Sequence, residues 1–334
     1  MTKRTVTVNL GINGAFITRR WEEPENWMRL TRECGFNQHS FCGDVIDPFF
    51  SGDREFQLEQ ATAAKEAAKR YGVKICDFYT GVATHRFLGL SHRDERARRR
   101  MMEWVEGAAE IAAAMGTDRL GGHVDAFSVE VLSDPQLTKE AVARQYQTIH
   151  ELAVRLKSSG IRCLMVEQMY IPSEKPYTLA ECEEFLIETN RGFSGIPVIV
   201  TLDVGHQAGE HYGLSGADTD YVEWVRRFGA VSEIIHLQQT TRDASHHWPF
   251  TDEYNRRGHI KVDAVLKALW ESHQRYAQQP YASVLPPVKE HVLVAEIIPG
   301  STKTEAKLLA ELKESAEYLA DFVPEDGLQW EFER

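Results

Sequence analysis

Apolar residues in this chain fall into short continuous runs separated by longer segments whose apolar positions recur every three or four residues. Those two patterns distinguish buried strands from amphipathic helices. The clearest run, residues 196–206, is rich in Val and Ile and stops abruptly in Asp203 and His206. It reads as a strand buried on both faces whose polar end projects from one rim of a sheet. Similar runs occupy 161–167, 232–237 and 291–298, each with a Glu or His at or near its C-terminal end. Earlier strands are predicted at 6–10, 36–42 and 73–79, with a weak, glycine-interrupted one at 118–123 that is placed by its position between two long helices. Helices are predicted at 24–34, 54–70, 94–115, 138–158, 178–190, 221–228, 262–276 and 304–322. Gly35, Gly72 and Gly116 stop the first three, and Thr178 with Glu181 forms a capping box at the fifth.

Eight strand-helix units in one chain predict an α/β protein, a single closed (β/α)8 TIM barrel over residues 1–334 with a short C-terminal tail at 323–334. No Gly-rich phosphate loop opens the chain, which weighs against an open doubly wound sheet. The tail, which contains Trp330, is expected to pack on the barrel bottom or on a partner.

Composition narrows the function. At 334 residues and 43% hydrophobic the chain can bury one large core, and its net charge of -12 argues against a nucleic-acid groove, which needs a basic stripe. Five cysteines without metal-ligand spacing fit a reduced, cytoplasmic protein. The N-terminus lacks a signal-peptide apolar region, and no apolar run approaches the ~20 residues of a membrane span. Arg96 to Arg100 is read as a solvated helix face or subunit contact.

In such barrels the C-terminal rim of the strands carries the active site, so Glu167, Asp203, His236 and Glu296 are expected to converge. Any one of them alone reads equally well as a helix cap or an arginine partner. Three carboxylates and an imidazole brought together would be too costly to bury uncompensated, so a cation is expected among them. An oxygen-rich set of this kind suits one divalent ion, Mn²⁺, Mg²⁺ or Co²⁺, with Zn²⁺ less favoured.

Glu167, the Asp203-Val-Gly-His206 segment, His236 and Glu296 together resemble the signature of the xylose isomerase-like superfamily, in particular its ketose 3-epimerases and sugar isomerases. Residues 236–243, 247–251 and 255–260 resemble the branch that contains the erythrulose phosphate (tetrulose phosphate) 3-epimerases, as do 36–48 and 170–182. The resemblance implies that Glu167, Asp203, His236 and Glu296 bind a divalent ion, Mn²⁺ foremost. It further implies that Glu167 and Glu296 act as acid and base, and that His206 and Arg242 hold substrate oxygens. His123 and His247 join them as candidate substrate contacts. His85, Arg86, His246, Arg256 and Arg257, with His247, lie in predicted rim loops and offer contacts to an anionic group.

A carbon beside a carbonyl is too weak an acid for an unassisted carboxylate, and a divalent ion that stabilises a cis-enediolate lowers that barrier. The expected reaction is therefore epimerisation or aldose-ketose isomerisation of a small sugar or sugar phosphate. A metal-dependent dehydratase or decarboxylase of a sugar acid is the alternative on the same scaffold. A repair endonuclease of similar fold would need several zinc ions, more histidines and a basic face. A homo-oligomer, dimer or tetramer, is expected from the resemblance.

Overall fold

The computed structural model of the chain describes residues 3–333 apart from 82, 124 and 193, and their side chains apart from those of 83 and 86. Its first half runs β1 (Lys3–Asn13), α1 (Pro24–Glu33), β2 (Gln38–Cys42), α2 (Arg54–Tyr71), β3 (Lys74–Tyr79), α3 (Glu95–Met115), β4 (Arg119–Gly122), α4 (Val129–Leu132) and α5 (Pro135–Arg155). It continues with β5 (Cys163–Glu167), α6 (Leu179–Asn190), β6 (Val198–Asp203), α7 (Tyr221–Phe228), β7 (Ile234–Leu237), α8 (Asp252–Arg257) and α9 (Val262–Arg275). β8 (Glu290–Ala295), α10 (Glu305–Ala320) and β9 (Leu328–Glu333) complete it. The strands β1 to β8 pair in parallel in chain order, and pairing of β1 with both β8 and β2 closes the barrel. This is the (β/α)8 barrel that the alternation of runs predicts.

Polar side chains fix the helix starts. Asp53, Asp94, Asp134, Thr178, Asp220 and Thr304 each accept a backbone N–H of the first turn after them. Asp134 starts α5 three residues before the predicted position. The predicted rim loop that carries His246, Arg256 and Arg257 contains α8, capped by Thr251. Among the described residues no helix is long and apolar enough to cross a membrane.

The tail is a strand at the N-terminal end of the barrel. β9 pairs antiparallel with Lys3–Val8 of β1, whereas β2 reaches β1 only at Ile12 and Asn13. The lower half of β1 would otherwise be an open edge, and β9 covers it. Below it, His273 of α9 and His291 of β8 form a hydrogen-bonded chain. Arg4 donates to His273 Nδ1 at 2.8 Å, the two Nε2 atoms lie 2.7 Å apart, and His291 Nδ1 meets the Ser232 carbonyl at 2.7 Å. Arg4 must donate and the carbonyl must accept, so both rings are neutral and each has a defined tautomer.

Burial lowers the His291 pKa to about 4, and burial, helped by the neighbouring His291 and Arg4, lowers that of His273 further. Depressed imidazole pKa values supply stability that is complete above the ordinary value near 6.5 and is lost as pH falls towards 4. The expected result is that both rings stay untitrated by NMR down to pH 5, while the urea midpoint declines between pH 6.5 and 4. Titration of either ring near 6.5 would contradict the neutral chain.

Candidate active site

Glu167 ends β5, Asp203 ends β6, His236 lies within β7, and Glu296 directly follows β8. All four occupy the C-terminal rim, and β6 and β7 set Asp203 opposite His236 in register. The side chains are buried, and one ligand atom from each lies within 4.8 Å of those of the other three. His236 Nδ1 stands between the two glutamates, 2.9 Å from Glu167 Oε1 and 3.3 Å from Glu296 Oε2. A second, overlapping group is Asp203, His206 and His247. His206 Nε2 is 3.5 Å from Asp203 Oδ2, and His247 Nδ1 is 3.2 Å from Glu296 Oε2.

Burial opposes every charge here, so the imidazoles and carboxylates depend on one another. Burial raises the pKa of Glu167, but His236 and His206 outweigh it and hold the carboxyl below its usual range. Glu296 is likewise held well below that range, burial being outweighed by His236 and His247. Burial would discharge His236, yet Glu296 and Glu167 raise it well above an ordinary imidazole. Asp203 goes the other way, with burial pushing it up to about 6.

Neighbouring residues hold the cluster in place. Gln238 donates its amide to both oxygens of Asp203, at 3.0 and 2.9 Å, while its carbonyl oxygen accepts the His247 backbone N–H at 2.7 Å. That bond holds His247 at a φ of 50°, an uncommon conformation for a residue with a side chain. A Cβ at Gly205 would overlap the Gln238 side chain and push it from this position. Tyr79, at the end of β3, donates its hydroxyl to Glu167 and packs edge-on against His236, with ring centroids 4.9 Å apart. Asn13, at the end of β1, approaches Glu296 Oε1 at 3.5 Å. Tyr79, Asn13 and Gln238 escape a reading based on charged strand ends, although each lies at or just beyond the end of a strand. The overlooked signal is a neutral hydrogen-bonding residue at that same position.

His123 is buried near the cluster with both ring nitrogens unpartnered, and stacks on His85 at a centroid distance of 5.4 Å. His85 pairs with Glu174 at 3.4 Å and lies 3.4 Å from the Tyr79 hydroxyl. Arg242 is exposed on the loop after β7, where its charge acts on Tyr221 and His259. His246 stacks on Trp248 at 4.0 Å, with the Arg257 guanidinium 4.5 Å from the Trp248 ring. The side chain of Arg86 lies outside the described residues.

The four residues fit a divalent ion. Glu296 Oε2 is a buried carboxylate oxygen that faces the His236 and His247 nitrogens at 3.3 and 3.2 Å without a well-formed hydrogen bond. Three carboxylates and one imidazole form an oxygen-rich donor set of the kind hard divalent ions take. Such an ion would be held by Glu167, Asp203, His236 and Glu296.

Comparison with known proteins places this geometry among relatives. Residues 28–277 match the family described as the xylose isomerase-like TIM barrel. A D-erythrulose 1-phosphate 3-epimerase of Brucella abortus (strain 2308) is 25% identical over 267 residues, 80% of this chain and 84% of its own length. A candidate xylose isomerase from Rhodospirillum rubrum ATCC 11170 superposes with a TM-score of 0.81 at 23% identity, over 95% of this chain and all of that one. The D-psicose 3-epimerase of Clostridium cellulolyticum H10, solved with D-tagatose, gives 0.67 at 16% identity over 93% and 97%. These two structural likenesses establish a shared fold.

Proposed function

The chain belongs to the xylose isomerase-like TIM barrel family, and from that premise we propose that it is a divalent-metal-dependent epimerase of a sugar or sugar phosphate, specifically a tetrulose phosphate 3-epimerase. The observation that carries this reading is the pair of buried glutamates, Glu167 and Glu296, on either side of His236. The erythrulose phosphate epimerase among its relatives supports the substrate class.

In the proposed mechanism Glu167, Asp203, His236 and Glu296 hold the ion, with Mn²⁺ foremost. When bound, it would stabilise the negative charge that develops on the substrate's carbonyl oxygen during enolisation. Glu296 removes the proton from the carbon beside the carbonyl, and Glu167 delivers one to the opposite face of the cis-enediolate. Glu167 therefore enters the forward turnover protonated, although the imidazoles favour its ionised form in the free site, and the two leave with those states exchanged. Tyr79 fixes the orientation of Glu167, and His247 faces Glu296. His206, Arg242, His123 and His247 are the proposed substrate contacts. Each proton transfer is typically worth ~10²- to 10⁴-fold.

Residues 1–334 are read as one domain, and the protein is placed in the cytoplasm as a homo-oligomer. Its five cysteines, all buried and unpaired, support a reducing compartment.

The test is a panel of tetruloses, pentuloses, hexuloses and their phosphates turned over in heavy water. The expected product has inverted configuration at the carbon beside the carbonyl and one solvent deuterium there, formed fastest from a tetrulose phosphate. Products without deuterium would overturn two-carboxylate proton transfer. Products of lower mass would point to a lyase.

A further inference from the structure

His236 meets Glu167 and Glu296 through Nδ1, so Nε2 faces away from them, and that nitrogen is buried with no hydrogen-bond partner. For Nδ1 to offer a lone pair to an ion, the single proton of the neutral ring must sit on Nε2. In that tautomer a buried N–H is turned away from the glutamates, and leaving it unpaired is costly.

The layer beneath contains matching orphans. Asp77 Oδ2, Ser40 Oγ and Thr201 Oγ1 are buried with hydrogen-bonding capacity to spare, Cys76 Sγ donating to the other Asp77 oxygen at 3.2 Å. Asp77 precedes Tyr79 by two residues on β3, so it shares that residue's inward face roughly 7 Å lower. Tyr79 is the residue that packs on His236. Ser40 stands opposite Asp77 in the β2–β3 register, and Thr201 precedes Asp203 by two residues on β6. Burial raises the Asp77 carboxyl above its usual range, and Ser40, Cys76, His236 and Arg119 act against that. Donors and acceptors left without direct partners in one buried layer are the usual setting for ordered water, which makes about three hydrogen bonds.

We propose that Asp77 is a positioning residue for His236. Buried water shared with Ser40 and Thr201 accepts the Nε2–H and donates to Asp77, which fixes the ring with Nδ1 turned to the glutamates. The inference rests on reading His236 as an ion ligand. An outer-shell carboxylate of this kind typically contributes ~10- to 100-fold to metal affinity. A merely structural Asp77 would behave differently, because its loss would lower stability and leave metal binding unchanged.

The experiment measures Mn²⁺ binding by calorimetry to wild type, Asp77→Ala and Asp77→Asn, with turnover across a Mn²⁺ titration. Asp77→Ala is expected to raise the Mn²⁺ Kd by at least ~10-fold and to regain most of its rate at saturating Mn²⁺. Asp77→Asn, which keeps an acceptor oxygen, recovers most of the affinity. In metal-free protein labelled with ¹⁵N-histidine, the His236 Nε2–H should resonate downfield in wild type and move upfield in Asp77→Ala. Wild-type Kd values in Asp77→Ala, or an Nε2–H signal indifferent to the substitution, would overturn the proposal. If Asp77→Ala does not fold, Asp77→Asn supplies both measurements, with a smaller shift of the same sign required. Failure of the wild type to bind Mn²⁺ would sink the metal reading separately, since the metal-free resonance tests Asp77 without it.

Discussion

Glu296→Gln should lower turnover by about 10²- to 10⁴-fold, the range expected when one proton-transferring group is removed. The substitution keeps the shape of the side chain and the contact of Asn13 with position Oε1, but it removes the group proposed to take the substrate's proton. Deuterium incorporation at the substrate carbon should fall in parallel with turnover, because both depend on the same transfer. The fold should persist. The barrel is closed by the ladders of β1 with β8 and β2, which do not include residue 296; its backbone N–H goes instead to the Leu237 carbonyl of β7. Circular dichroism and the urea midpoint check that half. Turnover near the wild-type rate would refute the acid-base role of Glu296, whatever the stability.

The barrel was legible because each of its parts repeats a pattern that local physics requires. Strands buried on both faces must be continuous apolar runs, and helices packed over them must show one apolar stripe. Even β4, interrupted by Gly121 and Gly122, could be placed by its flanking helices. The four buried acidic or imidazole residues were legible for a related reason. A charge at the end of an apolar run has no cheap structural explanation when it recurs on successive strands. What could not be read was whatever depends on two distant segments meeting. β9 is a short alternating stretch, Leu328, Trp330 and Phe332, and only the free lower edge of β1 gives it a partner. Tyr79 and Gln238 are ordinary residues until the closed barrel brings Glu167 and Asp203 against them. Arg242, named from a resemblance, is exposed on its loop, and local sequence carried no information about where that loop would set it.

Chelation should abolish turnover, and Mn²⁺ should restore it without refolding. Three carboxylates whose ligand atoms lie with that of His236 inside 4.8 Å repel one another when ionised, and in the absence of an ion the imidazoles offset them. The contact of His236 with Glu167 at 2.9 Å and that of His247 with Glu296 at 3.2 Å do not depend on a metal, so the stripped protein should remain folded. It should nevertheless be inactive, because imidazolium next to the glutamates cannot replace a divalent charge at the substrate's oxygen. Restoration carries a second, independent signature. An ion that binds only the folded chain stabilises it by mass action, by ~2.7 kcal/mol at one hundred times its Kd. The thermal midpoint should therefore rise with Mn²⁺ over the concentrations that restore activity. A midpoint that rises without recovery of turnover would make the ion structural, and full activity after exhaustive chelation would remove it from the mechanism. Only a joint rise in both supports a cation that is held by Glu167, Asp203, His236 and Glu296 and used in the reaction.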